Sequence, residues 1–284
     1  MNLAFLGTSA ATSYPVVFCY CANCERARTL GGPSLRKRAA AIINDDLLID
    51  LGPDIMSASF MHGHSISTVR YCLQTHSHSD HLDMSHFVTR IPEYAVVNVP
   101  RLHFYASTAT MKIASRLLEN EWASANLFDS KERERMNLEI FQVEPLQSFT
   151  AGRYKITAFS ASHDPSTESL LYAVESDGRS IFYGTDTTEL EEKTWQGFHR
   201  KNLQFDIVVL DHTYGLGIFG SDHLNAEQFI ATMARMREEG LLTEKARVFA
   251  THISHQGNPV HPELVDFANQ NGYEIAYDGL VLEI

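Results

Sequence analysis

Four apolar β-type runs in this chain lead into a histidine or an aspartate, and that recurrence constrains its fold more than any other feature. TVRYCLQT (68–75) feeds HSHSDHLD, YKITAFSAS (154–162) is followed by His163, RSIFYGT (179–185) by Asp186, and ARVFAT (246–251) by His252. A strand end entering a tight loop is where side chains can converge on one point while the sheet holds them still. His76 and His78, two apart, project to the same side of an extended segment, and Asp80 and His81 face a second point once the chain turns. A solvated polar loop with Asp80 as a helix cap would explain an isolated pair of histidines. It does not explain ligand-type residues at three further strand ends. Neutral imidazoles with carboxylates suit zinc, manganese or iron, and the seven donors leave room for two metals.

Between these runs lie NLAFLG (2–7), AAAIIN (39–44), DLLIDLG (46–52), LEIFQVE (138–144), LLYAVES (170–176), FDIVVLD (205–211) and YEIAYDG (273–279), all of strand character. Asn44-Asp45 and SDG at 176–178 are hairpin-turn signals. Helical spacing of apolar residues covers 107–122, 224–240 and 261–272, with Asn225 and Gln228 spaced as a capping box. No repeat or linker interrupts the pattern. Two strand-rich halves, each with helices, predict one α/β domain over 1–284, an αββα sandwich of two mixed β-sheets flanked by helices.

The 284 residues are 44% hydrophobic, enough for a substantial core, and the formal charge is −12. Such a surface repels phosphate backbones, so nucleic acid is not the expected partner; a small anionic molecule held by metals is. No apolar run nears the roughly 20 residues that span a bilayer, and MNLAFLGTSAATS lacks a basic leader region. A cytoplasmic protein, with a homodimer as an open expectation, follows from this reading.

That compartment disfavours disulfides, so Cys19, Cys21 and Cys24, clustered on a loop at 18–28, point to metal or to redox chemistry. Three thiolates need a fourth ligand to close a tetrahedral zinc site. His255, His62 and His64 are candidates; His255 stands out, three residues after His252. Cys72, inside a strand, reads as a small buried apolar residue.

The motif His-x-His-x-Asp-His after a strand, with a later His, an Asp and a last His, resembles the metallo-β-lactamase superfamily across essentially the whole chain. The resemblance implies a first metal on His76, His78 and His163, a second on Asp80, His81 and His252, and Asp186 bridging both. It also implies that Asp50 supports the site without binding metal. Flavo-diiron relatives carry Glu where this chain has His78, so hydrolysis on zinc or manganese is favoured over oxygen reduction. The cysteine motif with THISH (251–255) resembles the branch containing the phosphonate-pathway cyclic phosphodiesterase, with the pyrroloquinoline-quinone biosynthesis B protein as a neighbour. In that branch residues matching Cys19, Cys21, Cys24 and His255 hold a structural zinc.

The implied activity is hydrolysis of a small phosphodiester, a cyclic phosphate first, by a water whose pKa the two metals lower. Alternatives are a metal oxygenase of cofactor biosynthesis, a hydrolase of another ester, lactone or thioester, and a non-enzymatic metal-binding protein. Asp80 counts among the catalytic residues as well as the ligands. The leaving alkoxide wants a proton, and His223, before a helix, is the first candidate donor. His212, oriented by Asp211, is the second. Tyr94, Arg101, His103, Tyr105 and Trp122 are selectivity candidates, and 212–223, with three glycines, reads as a loop over the metals.

Overall fold

The computed structural model describes residues 1–94, 96–121 and 125–284; Trp122 lies outside them. Six strands open the chain: β1 (Asn2–Gly7), β2 (Ala40–Ile43), β3 (Leu47–Ile49), β4 (Tyr71–Leu73), β5 (Leu102–Ala106) and β6 (Leu138–Gln142). A second series comprises β7 (Ser148–Ala151), β8 (Tyr154–Ser160), β9 (Leu170–Ser176), β10 (Arg179–Gly184), β11 (Phe205–Asp211), β12 (Leu242–Thr251) and β13 (Glu274–Ile275). The final strand, β14 (Val281–Glu283), returns to pair with β1. The two seven-stranded sheets run β14-β1-β2-β3-β4-β5-β6 and β13-β12-β11-β10-β9-β8-β7.

Burial on both faces explains the near-continuous apolar strands. In β9, Leu170, Tyr172 and Val174 face the layer between the sheets, while Leu171 and Ala173 face the helices outside. In β1, Leu3 and Phe5 point inward, and Ala4 and Leu6 outward. The outer layer of the second sheet is closed by α1 (Ala22–Leu30), which contributes Cys24 and Ala27. Over the first sheet lie α2 (Ile55–His62), α3 (Ser85–Val88) and α4 (Thr108–Glu121), burying Ile55, Phe87 and Met111, with the short α5 (Ser130–Arg135) leading into β6. α6 (Glu192–Arg200), α7 (Ala226–Glu238) and α8 (His261–Gln270) cover the second sheet with Phe198, Phe229 and Leu264. Three apolar layers thus separate four structural ones, the αββα sandwich expected from the sequence.

The turn signals have physical counterparts. Asp177 and Gly178, joining β9 to β10 with Ser176 opposite Arg179, have φ of 54° and 72°, as a type I′ hairpin requires. The capping box is present, with Asn225 and Gln228 satisfying each other's backbone. Several features differ from the sequence reading: β7 and β14 lie outside the runs read as strands, and YEIAYDG (273–279) pairs only over Glu274–Ile275. β5 lies outside the runs read as strands, because its short run LHFYA is completed by parallel pairing to β4 and β6. The strand read from Ala246 starts at Leu242. Cys24 lies not on a loop but in the first turn of α1.

Strand direction places the site. β3 and β4 are parallel, as are β10, β11 and β12; β8, two antiparallel steps from β10, runs with them. Their carboxyl ends therefore meet along one edge of the sandwich. No helix among the described residues is long and apolar enough to cross a membrane.

Candidate metal centres

At that edge the chain turns sharply. Asp50 directly follows β3, Asp186 follows β10 by two residues and His252 directly follows β12; their φ values are 67°, 54° and 59°. Left-handed backbone at residues other than glycine costs about 1–3 kcal/mol each and persists where surrounding structure over-determines it. Here each turn throws a polar side chain from the strand end back over the sheet edge. They join His76, His78, Asp80 and His81 from the loop after β4 and His163 from the loop after β8.

The seven predicted donors fall into two groups. His76, His78 and His163 form one; Asp80, His81, Asp186 and His252 form the other. His163 Nε2 is 3.2 Å from His78 Nδ1, and His81 Nε2 is 3.4 Å from His252 Nε2. A tetrahedral zinc with bonds of about 2.0–2.1 Å spaces its nitrogen ligands about 3.3 Å apart. Asp186 lies between the groups, its Oδ1 3.3 Å from His252 and 3.8 Å from His163, its Oδ2 3.1 Å from His81.

Which nitrogen each ring offers is set from behind. His81 Nδ1 donates to Asp50 Oδ2 at 2.7 Å. Thr75 Oγ1 donates to Asp50 and so accepts from His76 Nδ1 at 3.0 Å. Thr213 Oγ1 donates to the His252 carbonyl and accepts from His252 Nδ1 at 2.7 Å. His163 Nδ1 donates to the Asp222 carbonyl at 3.0 Å, and His78 Nε2 donates to Asp164 at 3.2 Å. Each ring, when neutral, therefore turns a lone pair inward, through Nδ1 for His78 and Nε2 for the others. His76 Nε2 and Asp186 Oδ2 are buried without a hydrogen-bond partner.

Charge makes the same demand. Asp50, Asp80, Asp186 and Asp211 are all buried, at most 3% exposed. Buried charges require compensation. Burial alone would raise the Asp80 and Asp186 carboxyls, but the neighbouring histidines hold both well below the usual carboxylate range. Burial opposes a charged His81, yet Asp186, Asp80 and Asp50 hold it well above the ordinary imidazole value. His76, desolvated and beside His81, is pushed well below it. The cluster thus calls for cations that accept inward lone pairs, and divalent metals fit both requirements.

A cleft of about 310 Å³ opens over this cluster, lined by Ala10, Thr12, His163, Tyr214, His223 and Ser254 among others. His223 Nδ1 donates to Asp211 Oδ2 at 2.9 Å and lies 3.2 Å from Thr213 Oγ1; its Nε2 has no protein partner among the described residues. Burial would lower the His223 pKa, but Asp211 more than offsets it and raises the group to about 9.

His212 is not placed to be a proton donor. Fully buried, it donates from Nδ1 to Asn258 Oδ1 at 2.8 Å, and Tyr273 OH donates to its Nε2 at 3.0 Å. Burial lowers its pKa to about 4. Its ring packs on Phe229, in the helix layer. Alternation along β11 accounts for this: Val208, Leu210 and then His212 point to the helices, while Ile207, Val209 and then Asp211 point to the other side. Asp211 therefore orients His223, and the period-2 pattern of FDIVVLDH carried that signal. Thr213, Asp164 and Asn258 carried none, since the rings they hold are distant in the chain, and Thr75 is tied to the site through Asp50, 25 residues away.

Cys19, Cys21 and Cys24 surround His255 Nδ1 at 3.7, 3.4 and 3.4 Å. Tetrahedral zinc with bonds of about 2.3 Å to sulfur and 2.0 Å to nitrogen puts sulfur and nitrogen about 3.5 Å apart, so the set fits a closed site. His62 and His64 are elsewhere, at the end of α2 with His64 beside Asp45. Cys72 is buried in β4. Arg101 pairs with Glu134, His103 packs on Tyr71 and Tyr105 stacks on Phe141 and Phe149; none lines the cleft.

The family model described as "Beta-lactamase superfamily domain" matches residues 46–253. No curated protein matches the sequence. Among solved structures, the chain is similar to a diphosphatase from the PhnP family, with 21% identity, a TM-score of 0.71 and coverage of 100% of this chain and 97% of that one. It is similar to Zn(2+)-bound PqqB from Methylobacterium extorquens, with 17% identity, a TM-score of 0.74 and full coverage of both chains. It is also similar to yeast PDE1, with 12% identity, a TM-score of 0.68 and coverage of 100% and 99%. At these identities the likeness establishes the fold.

Proposed function

This chain belongs to the β-lactamase superfamily and has the metallo-β-lactamase fold, and on that footing we propose that it is a binuclear-metal hydrolase of a small phosphodiester, a cyclic phosphate first. The observation that carries this reading is the Asp211–His223 pair on the cleft, beside two groups of converging donors. Ligands would be His76, His78 and His163 at one metal and Asp80, His81 and His252 at the other, with Asp186 shared. When bound, two such cations would supply Lewis acidity toward a phosphoryl oxygen and lower the pKa of a coordinated water.

The chain's own residues do the rest. Asp50, Thr75, Thr213 and Asp164 hold the imidazoles of His81, His76, His252 and His78 in preset orientations. His223, protonated at neutral pH, holds a proton on Nε2 for the departing oxygen, while Asp211 stabilises the imidazolium. A strong need for that proton favours alkoxide leaving groups, as in phosphodiesters of sugars and nucleosides. Cys19, Cys21, Cys24 and His255 would hold a separate structural zinc.

The test is metal content per chain together with turnover of bis(p-nitrophenyl) phosphate and a 2′,3′-cyclic nucleotide. Protein would be reconstituted with zinc, manganese or, anaerobically, iron. Zinc- or manganese-dependent diester cleavage supports the proposal. Full metal occupancy with no diester cleavage under any metal would overturn it.

A further inference from the structure

Asn258 is fully buried and joins three segments that are remote in sequence. Its Oδ1 accepts from His212 Nδ1 at 2.8 Å. Its amide nitrogen lies 3.1 Å from each of the carbonyl oxygens of His212, Thr213 and Ser254. Its own carbonyl accepts from Tyr14 OH at 3.2 Å and from Asn23 Nδ2 at 3.1 Å, and that same Asn23 nitrogen reaches the His255 carbonyl at 3.0 Å. Asn23 stands between Cys21 and Cys24, within the three-thiol cluster.

The other side of this hub is the reaction cleft. Thr213, whose carbonyl Asn258 holds, presents Oγ1 to His252 Nδ1 at 2.7 Å and to His223 Nδ1 at 3.2 Å. Ser254 Oγ donates to the same Thr213 carbonyl at 2.7 Å. Close backbone packing leaves little slack: a Cβ on Gly257 would lie 1.8 Å from the Tyr214 carbonyl oxygen. A shift of the cysteine cluster is therefore passed on through fixed polar contacts to Thr213.

We propose that Asn258 is a positioning residue coupling the Cys19, Cys21, Cys24 and His255 centre to the His252–Thr213–His223 side of the cleft. The cysteine centre then sets turnover as well as holding its loop. This rests on the proposed hydrolase reading for its kinetic consequence, but not for its spectroscopic one.

The test compares wild type, Asn258→Ala and Asn23→Ala after cobalt substitution, with a 2′,3′-cyclic nucleotide, whose leaving group is an alkoxide, as probe substrate. Asn23→Ala removes the link from outside the core, so it remains informative if Asn258→Ala does not fold. The expected result is retained metal content, KM within about twofold and kcat lower by about tenfold, since small misplacements of reacting groups are costly. The ligand-field bands of the histidine–aspartate cobalt should shift in both variants, while the thiolate-to-cobalt band of the cysteine centre persists. Unchanged kcat and unchanged ligand-field bands in a folded variant overturn the coupling. If wild type cleaves no diester, the hydrolase proposal fails and the cobalt bands alone decide the positioning role.

Discussion

Asp211 Oδ2 stands 2.9 Å from His223 Nδ1, a carboxylate at the end of β11 holding an imidazole that precedes α7. The pair leaves His223 Nε2 over the cleft and raises the group to about 9, burial notwithstanding. His223→Ala should lower kcat for a diester with an alkoxide leaving group by about 10²–10⁴-fold. The loss should be much smaller with p-nitrophenolate, which departs without a proton. Equal losses on both substrates would show that His223 is not the proton donor.

The same pair sets an alkaline limit. An acid must be protonated to act, so kcat should decline as pH rises through the His223 pKa that Asp211 raises. Asp211→Asn removes the charge that favours the imidazolium, and the limb should move to lower pH. A kcat–pH profile of both proteins checks the sign; an unmoved limb would assign it to another group.

Asp50 accepts from His81 Nδ1, from Thr75 N and Oγ1 and from Gln74 Nε2, all out of solvent. Asp50→Asn must turn a donor toward one of these donors. The expected effect is a 10–100-fold loss of metal affinity, measured by competition with a chelator, with weaker effects on KM.

Buried neutral His212 should give the fold an acid-side weakness. Its pKa is ordinary, 6.5, when unfolded and about 4 when folded, so its contribution is complete above 6.5 and is lost as pH falls toward 4. The full span corresponds to about 3 kcal/mol. Denaturation of the metal-free protein between pH 7 and 4 measures it. An imidazole resonance of His212 titrating near 6.5 in the folded protein would contradict this placement.

Cys21→Ser should remove one equivalent of metal and leave the histidine–aspartate groups loaded. Native mass spectrometry distinguishes this from loss of all metal, which would mean that the centres do not form independently.

The chain by itself determined the architecture and where its ligand-type residues gather. Period-2 strands apolar on both faces demand cover on each side, which makes a four-layer sandwich, and His76, His163, Asp186 and His252 lie just beyond strand ends because sheet edges are where side chains can meet. Even the failure at His212 was legible, since consecutive residues of a strand point to opposite faces. Tertiary structure decided what each ring offers and to what. Asp164 selecting the tautomer of His78, Thr213 facing His252, and Asn258 joining the cysteine cluster to the cleft are contacts across 39 to 235 residues. Spacing along a chain reports neighbours on one element, whereas a hydrogen bond between loops depends on how two sheets are packed.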